Sequence, residues 1–140
     1  MKIGFSGTQN GMSEKQKKIL FNLIEPFPYA EYHHGDCVGA DAEFHTIVSK
    51  LIHETIGRII IHPPINPSKR AWCTGGKVLQ PKPYLIRDRD IVNSVDWLIA
   101  CPYKDVEKIR SGTWFTVRYA RKQVKNITII FPSGRIKRYE

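Results

Sequence analysis

Apolar residues along the chain gather in five short runs, separated by amphipathic stretches. The runs KIGFS, YAEYHH, GRIIIH, DWLIAC and NITIIF occupy residues 2–6, 29–34, 57–62, 96–101 and 126–131. Three of them are rich enough in β-branched residues to predict central strands. Between the runs, apolar residues recur at the spacing of one helix face. The pattern therefore predicts strands that alternate with helices.

The predicted helices cover residues 13–24, 40–54, 84–94 and 112–122. In the first, Ser13 and Gln16 are spaced as a capping box, and Pro26 ends the helix. Alternation with nearly continuous apolar strands predicts a parallel sheet covered on both faces and joined by right-handed crossovers. We expect an α/β fold, a Rossmann-like three-layer sandwich with a mostly parallel sheet of about five strands, formed by residues 1–140 as a single domain.

Two segments leave alternatives open. Residues 63–83 are too long and too rich in proline and glycine for a routine connection, which predicts either a functional lid or a disordered loop. The tail SGRIKRYE is predicted as either an extra edge strand or a frayed end.

Composition narrows the class of protein. The chain has no run of eighteen apolar residues and opens on the strand-like MKIGF, so we predict neither a membrane span nor a secretory leader, and expect a cytoplasmic protein. Cys37, Cys73 and Cys101 are far apart and odd in number, which predicts reduced thiols.

The net charge is +9, and residues 104–140 carry 10 Lys/Arg against 3 Asp/Glu. Such a basic surface fits a nucleotide, a nucleic acid or a merely solvated face.

Small, glycine-containing loops follow three of the predicted strands. They are SGTQNGM at 6–12, HGDCVGAD at 34–41 and the stretch RSGTWFTVRYARK at 110–122. In parallel sheets ligands bind at the carboxyl ends of the strands, and helix N-termini favour anions there. The alternative is that Ser111 is only an N-cap and Gly112 only a turn residue. The spacing matches neither the dinucleotide-binding fingerprint nor a P-loop.

The second loop also invites a metal site, because several metal-ligating side chains lie within thirteen positions: His33, His34, Asp36, Cys37, Asp41 and His45. Adjacent side chains on a strand point to opposite faces, so His33 and His34 do not easily bind one ion. We therefore predict no metal site. Asp36 and Asp41 are predicted either to cap helices or to accept hydrogen bonds from ribose hydroxyls.

Other polar and aromatic residues have two interpretations each. Arg87, early in the third predicted helix, is either a surface residue or a bidentate phosphate ligand. Trp72, with Arg70 nearby, either stacks on a base or pins the long loop to the core. Trp114 and Phe115 are predicted to be packing residues.

Taken in order, several segments resemble those of one superfamily over nearly the full length of the chain. The segments are GFSGTQNGM, HHGDCVGADAEFH, IHPP, KPYLIRDRDIV, DWLIACP and RSGTWFTVRYARK. As a set they resemble the SLOG superfamily, which includes the Lonely Guy phosphoribohydrolases and DNA-processing protein A, and more closely its small single-domain branch in phage and bacterial genomes. The resemblance implies a pocket for a nucleotide or an NAD-derived or cyclic nucleotide compound, and a homo-oligomer.

One position departs from the enzymatic branch of that superfamily, whose motif is P-G-G-x-G-T-x-x-E with an arginine on the preceding helix. Aligning the motif on Gly112 and Thr113 puts Thr116 where the catalytic glutamate belongs, and Arg87 matches the arginine. A carboxylate there would stabilise positive charge on the sugar, which a threonine does not. The resemblance therefore implies binding without efficient turnover, unless Asp36, Asp41 or Glu107 substitutes.

The glycine-containing loops predict an anion site, and the resemblance implies that the pocket binds a nucleotide-type small molecule; no cofactor is expected. The predicted ligand- and phosphate-binding residues are Gly7, Thr8, Gly35, Asp36, Arg87, Arg110, Ser111, Gly112 and Thr113. The resemblance suggests a sensor or a phage-encoded sequestering protein that counters host defence. The first alternative is an N-glycosidase that acts on a nucleotide. The second is a single-stranded DNA-binding module, which the pI of 9.6 favours, but aromatic residues are not interleaved with the basic ones of the last quarter.

Overall fold

The computed structural model describes residues 1–53 and 57–140, and seven strands within these ranges form one sheet. The strands are β1 (Lys2–Gly7), β2 (Glu31–His34), β3 (Ile59–Ile61), β4 (Lys77–Val78), β5 (Trp97–Cys101), β6 (Asn126–Ile130) and β7 (Ile136–Tyr139). The sheet order is β4-β3-β2-β1-β5-β6-β7. All neighbours pair in parallel except β6 and β7, which are antiparallel. The α/β, mostly parallel, Rossmann-like fold is confirmed.

Four α-helices connect the strands of the described ranges: α1 (Glu14–Ile24), α2 (Ala40–Leu51), α3 (Tyr84–Ser94) and α4 (Gly112–Lys122). Helix α1 begins with the predicted capping box, in which the Ser13 hydroxyl accepts from Gln16 N–H and the Gln16 side chain accepts from Ser13 N–H. The predicted end of the second helix at Glu54 lies outside the described residues.

Two apolar layers cover the two faces of the sheet. Leu20 of α1 and Phe44 of α2 pack with one set of strand residues, which includes Ile99 of β5. Trp114 of α4 packs with the opposite set, which includes Leu98. The alternation of Leu98 and Ile99 across the sheet is the period-two pattern of a strand buried on both faces.

The direction in which strands are added reverses beside β1, because β2 and β3 lie on one side of it and β5 and β6 on the other. At such a point the loops that leave the carboxyl ends of neighbouring strands diverge and leave a crevice. The loops after β1, β2 and β5 are those in which the sequence predicts the ligand site.

The sheet contains two edge strands, β4 and β7, in addition to the five strands that were predicted. The two-residue β4 comes from the long segment 63–83, and pairs with Ile60 and Ile61 of β3. The tail forms β7, which settles the open alternative in favour of an edge strand. Segment 63–83 also contains a 3-10 helix at Pro67–Lys69 and backbone bridges at Arg70 and Lys82, so it is an ordered wall beside the sheet.

Within the described residues no helix has both the length and the apolar character needed to span a bilayer. All three cysteines are free thiols, and Cys101 is buried.

Candidate functional site

A cavity of about 860 Å³ opens at the carboxyl edge of the sheet, at the reversal of strand order. The loops after β1, β2 and β5, the start of α3 and part of segment 63–83 form its walls. Eight of the nine predicted ligand residues line it: Gly7, Thr8, Gly35, Arg87, Arg110, Ser111, Gly112 and Thr113. The sequence therefore identified the loops that surround this cavity.

The start of α4 is open toward the cavity. Ser111 is the N-cap, and its hydroxyl accepts a hydrogen bond from Trp114 N–H at 3.3 Å. Gly112 is exposed, and a Cβ atom added there would meet no atom closer than Tyr84 Cε2, at 4.0 Å. Among the described residues, the N–H groups of Gly112 and Thr113 have no hydrogen-bond acceptor. The turn thus combines a helix N-terminus with open space beside it.

The loop before α4 is held in place by a residue that the sequence did not single out for this role. The Arg118 guanidinium donates to Ile109 O at 2.8 Å and to Lys108 O at 3.3 Å, and pairs with Glu107 at 2.9 Å. These bonds tie residues 107–109 to the body of α4. Arg110, the next residue, is exposed and lines the cavity.

Gly7 and Thr8 serve packing as well as the cavity wall. A Cβ atom on Gly7 would come within 2.5 Å of Ala40 Cβ, so glycine allows β1 to approach α2 closely. The Thr8 carbonyl accepts from Ala40 N–H at 2.9 Å, and the Thr8 hydroxyl accepts from Asn10 N–H at 3.1 Å. The loop after β1 is therefore fixed by its own chain.

Asp36 is the predicted ligand residue that the structure places elsewhere. Its side chain is fully buried, outside the cavity lining, and its φ of 53° lies in the left-handed region. Asp36 Oδ2 pairs with Arg70 Nε at 2.9 Å, and Oδ1 accepts from Cys73 N–H at 2.9 Å. The carboxylate thus anchors segment 63–83 instead of facing a ligand, because Arg70 and the Cys73 N–H, both from that segment, bind its two oxygens.

Beside the same anchor, Trp72 neither lines the cavity nor packs into the core. The Arg70 guanidinium lies 3.9 Å from the centre of the Trp72 ring, and Trp72 is 58% exposed and outside the cavity lining. Trp72 therefore stacks on Arg70 at the outer surface of segment 63–83, while Arg70 holds Asp36.

Arg87 lines the cavity, but its guanidinium is occupied by the protein. Nη1 donates to Gly35 O and, at 3.3 Å, to His62 O, and both Nη atoms lie 3.5 Å from Cys37 Sγ. Nε lies 2.8 Å from Oδ1 of Asp88. The predicted bidentate phosphate contact is not available in this arrangement, and Arg87 instead joins α3 to the ends of β2 and β3.

Two buried carboxyl groups line the cavity: Asp41, which the sequence offered as a helix cap or a ribose acceptor, and Asp88, for which the sequence predicted no such role. Asp41, in the first turn of α2, is 5% exposed, and burial raises its pKa to about 7, against a lowering by Arg87. Asp88 is also 5% exposed, and burial raises its pKa to about 6, against a lowering by Arg87 and by the Thr116 side chain. Low dielectric surroundings disfavour the charged carboxylate in both cases.

Thr116 occupies the position at which the enzymatic motif has its catalytic glutamate, and a carboxyl group of another helix lies beside it. The Thr116 hydroxyl donates to Gly112 O at 2.8 Å, and its side chain stands next to the carboxyl of Asp88. Of the substitutes named from the sequence, Asp41 lines the cavity, Asp36 faces away, and Glu107 pairs with Arg118. A carboxyl from α3 thus lies where the sequence alignment shows none.

His33 and His34 point to opposite faces of the sheet, as their adjacency on a strand predicts. His33 Nε2 lies 2.7 Å from Glu31 Oε1, and His33 Nδ1 lies 2.8 Å from His62 Nε2. Burial lowers the pKa of His33, and that of His62 to about 3. This cluster is therefore a chain of neutral imidazoles ending on a carboxylate.

On the other face, His34, His45 and Cys73 each bring one possible ligand atom to within 4.8 Å of the others, which is close enough to test for a metal. His34 Nδ1 accepts from Asp36 N–H at 3.0 Å, so the proton of this neutral ring is on Nε2. That N–H faces His45 Nδ1 at 2.9 Å. The Nε2 lone pair that a metal would need is therefore absent from this hydrogen-bonded arrangement.

Basic and aromatic side chains alternate on the outer surface formed by α3, α4 and β7, which we call the basic–aromatic face. Its members are Arg89, Phe115, Tyr119, Arg121, Lys137 and Tyr139. The Arg121 guanidinium lies 4.2 Å from the centre of the Tyr139 ring, and Arg89 lies 5.6 Å from that of Tyr119. The sequence-based objection that aromatic residues are not interleaved with these charges is wrong, because β7 folds back beside α4.

Comparison with protein-family models and with curated proteins finds no match. A solved structure of DNA processing protein A from Helicobacter pylori is similar, with a TM-score of 0.63 and 16% sequence identity over 92% of this chain. That structure is described for its unique single-stranded DNA binding mode. This chain covers 64% of that structure's length. At this level of identity, the likeness shows a shared Rossmann-like fold.

Proposed function

We propose that this chain binds a nucleotide or nucleotide-derived ligand, of the NAD-derived or cyclic nucleotide class, in the cavity without efficient turnover. The observation that carries the proposal is the open helix start at Gly112, where N–H groups that are unpaired among the described residues border a cavity of about 860 Å³. A phosphate at such a start accepts backbone hydrogen bonds and meets the positive end of the helix dipole.

The surroundings of the helix start support the same class of ligand. Arg110, Lys108 and Lys69 line the cavity and are exposed, so they can approach a phosphate without losing a buried partner. Tyr84 and Ile65, which are 54% and 58% exposed, also line it and offer apolar surface to a base. The cavity thus joins cationic and apolar walls, which is the combination a nucleotide requires.

The proposal is tested by calorimetry on the wild-type protein and on Gly112→Asp, with AMP, ADP-ribose, cyclic nucleotides and inorganic phosphate as probes. We expect Gly112→Asp to lower the affinity for every phosphate compound by at least about tenfold, because it places a like charge at the anion site. The fold should remain intact, because an acidic residue in the first turn of a helix is favourable.

Gln123→Asp is the matched control, because it makes the same charge change at the opposite, exposed end of α4. It should leave the affinities unchanged. The proposal would be contradicted if the wild-type protein bound none of the probe compounds, or if Gly112→Asp and the wild type bound them with equal affinity.

The N-glycosidase alternative gains support from Asp41 and Asp88, which supply the carboxyl groups that Thr116 does not. Chromatography after incubation with each nucleotide separates the two functions, because an N-glycosidase releases free base. The binding proposal expects intact ligand.

Single-stranded DNA binding is the third candidate function, and the basic–aromatic face is the observation that favours it. Arginine guanidinium groups and aromatic rings on one surface can stack on successive bases while they neutralise phosphates. The similar fold of DNA processing protein A, whose structure concerns single-stranded DNA binding, agrees with this candidate.

Anisotropy of a fluorescent oligo(dT) tests this candidate, with salt raised from about 50 to 200 mM. Arg121→Glu combined with Lys122→Glu should weaken binding and flatten its salt dependence by about 0.7 in slope for each phosphate that the variant no longer neutralises. Gly112→Asp should have a smaller effect. Arg118 is left unchanged because it holds the loop before α4. Equal effects of the two variants would count against the basic–aromatic face.

Assembly into a homo-oligomer, which the family resemblance implies, is measured on the same samples by analytical ultracentrifugation. A role as a nucleotide sensor or as a phage-encoded sequestering protein depends on that resemblance in the same way.

A further inference from the structure

The loop between β5 and α4, residues 102–111, carries the cationic side chains on the α4 side of the cavity. Lys108 and Arg110 are exposed and line the cavity. Among the described residues, residues 103–110 form no hydrogen bond between backbone groups. An exposed loop without backbone pairing moves freely unless side chains hold it. The position of the two cations therefore depends on side-chain contacts to this loop.

Asp105 holds the first half of the loop to the turn between β6 and β7, residues 131–135. Asp105 Oδ1 accepts from Ser133 N–H at 3.2 Å, and Oδ2 accepts from the Ser133 hydroxyl. The Asp105 carbonyl accepts from Arg135 Nη2 at 2.9 Å. The Arg135 guanidinium lies 3.9 Å from the centre of the buried Phe131 ring. Three hydrogen bonds thus join the loop to the turn.

The turn is itself anchored to the body of the protein. The Ser13 hydroxyl donates to Pro132 O at 2.9 Å. Gln16, which is 1% exposed, donates through Nε2 to Pro102 O and to Ile130 O, both at 2.8 Å. The start of the loop and the end of β6 therefore share one buried side chain of α1, which gives Asp105 a fixed partner.

The second half of the loop is held by Arg118 of α4, which binds the carbonyl groups of Lys108 and Ile109. Residues 105–109 are therefore fixed at both ends, and the two cations lie at or directly after the second fixed point. Cations that are held in place bind an anion more tightly than mobile ones, because less conformational entropy is lost on binding.

We propose that Asp105 is a positioning residue for the cavity, and that its contact with the β6–β7 turn holds Lys108 and Arg110 where they meet an anion at Gly112. This inference rests on the proposed function. Asp105 does not line the cavity, so it acts through the two cations and not by contact with the ligand. The β6–β7 hairpin at the edge of the sheet thereby contributes to the ligand site.

Calorimetry of the whole protein with inorganic phosphate and with ADP-ribose tests this role in Asp105→Ala. Both affinities should fall by about three- to tenfold, because the ligand must then order the loop. Loss of a carboxylate near an anion site would by itself raise these affinities, so charge does not explain a fall. The midpoint of urea denaturation should change little, since Ser133 and Arg135 are exposed. Unchanged or higher affinities in Asp105→Ala would overturn the inference.

Asp105→Asn is the matched variant, because it removes the same charge and retains an acceptor for Ser133 N–H. Its affinities should stay within about twofold of the wild type. Val106→Ala is a control in the same loop, since Val106 is 62% exposed and outside the cavity lining, and it should bind both probes as the wild type does. A loss in Asp105→Asn as large as that in Asp105→Ala would refute the role of the contact.

A second background separates positioning from general damage. In the double variant Lys108→Gln, Arg110→Gln the start of α4 is intact, so phosphate should still bind, with lower affinity. Adding Asp105→Ala to this background should cause no further fall, because the residues through which Asp105 acts are already gone. A merely structural role would give the same fall in both backgrounds, which would overturn the inference.

The wild-type protein distinguishes failure of the inference from failure of the proposed function. Phosphate binding by the wild type that Gly112→Asp loses and Asp105→Ala retains in full would leave the anion site in place and remove the positioning role. Absence of binding of either probe by the wild type would remove both.

Discussion

The helix starts of α2 and α4 follow similar glycine-containing loops, yet one is closed and the other is open. At Gly112 the nearest atom to an added Cβ is 4.0 Å away, whereas at Gly35 an added Cβ would overlap the Arg87 guanidinium. Glycine at the first position of α4 leaves room for an approaching group. Glycine before α2 leaves room for a buried arginine of the same chain. The same residue type in the same type of loop thus serves two purposes.

The backbone donor of the first helical residue differs between the two starts. Before α2, Cys37 N–H donates to Asp41 Oδ2 at 3.2 Å, and Ala40 N–H donates to Thr8 O at 2.9 Å. At α4, the Ser111 hydroxyl accepts only from Trp114 N–H, and the two preceding N–H groups remain unpaired among the described residues. An anion would therefore compete with the protein's own carboxylate at α2 and would meet no such competitor at α4.

The largest loss of stability is expected when Arg87, which fills the space beside Gly35 ahead of α2, is replaced. Arg87→Met should lower the free energy of unfolding by about 3–5 kcal/mol, because it leaves Asp88 buried without its cation and Gly35 O without its donor. Urea denaturation measures this loss. Arg89→Met is the control on the same helix. Arg89 is exposed and its partners within the described ranges are aromatic rings, so this change should cost at most about 1 kcal/mol.

The loss in Arg87→Met should also depend on pH. Burial raises the pKa of Asp88 to about 6 and that of Asp41 to about 7, above their unfolded values, so protonation of these groups favours the folded state as the pH falls. Without Arg87 both pKa values rise further, since a nearby positive charge lowers them. The difference between wild type and variant should therefore shrink from about pH 8 to about pH 5. A constant difference would contradict the role of Arg87 as their counter-ion.

Much of the fold was predictable because hydrophobic periodicity reports burial directly. The first, third and fourth predicted helices end at Ile24, Ser94 and Lys122, as in the structure. The exposed β4 was not predictable, because Lys77–Val78 has no apolar pattern and becomes a strand only by pairing with β3. Edge pairing of this kind is determined by tertiary contacts, which a local pattern does not contain.

The loops of the site were predictable, but the directions of their side chains were not. Parallel strands bring their carboxyl ends to one edge, which places Gly35, Gly112 and Arg87 around one cavity. Asp36 was predicted to bind the ligand but lies outside the cavity lining, whereas Asp41, which was not among the predicted ligand residues, lines it. The backbone at Asp36 has a φ of 53°, which no residue pattern specifies. Asp88 could have been recognised from its place one helical turn before Ile91, since both face the cavity.

The difference between the two helix starts is tested most directly by adding one methyl group to each. Gly35→Ala should lower the free energy of unfolding by about 1–3 kcal/mol, because the methyl overlaps the Arg87 guanidinium. The φ of Gly35 is outside the left-handed region, so overlap alone causes the loss. Thermal and urea denaturation measure it.

Gly112→Ala, the other half of this pair, should leave stability unchanged or raise it by up to about 1 kcal/mol, since alanine is the better helix former and its methyl meets no atom closer than 4.0 Å. The same methyl occupies the space through which an anion approaches the unpaired N–H groups. Affinity for inorganic phosphate should therefore fall by about three- to tenfold. Affinity would then fall without any loss of stability in one variant, which packing damage cannot produce. Equal destabilisation by the two alanines would mean that both helix starts are closed.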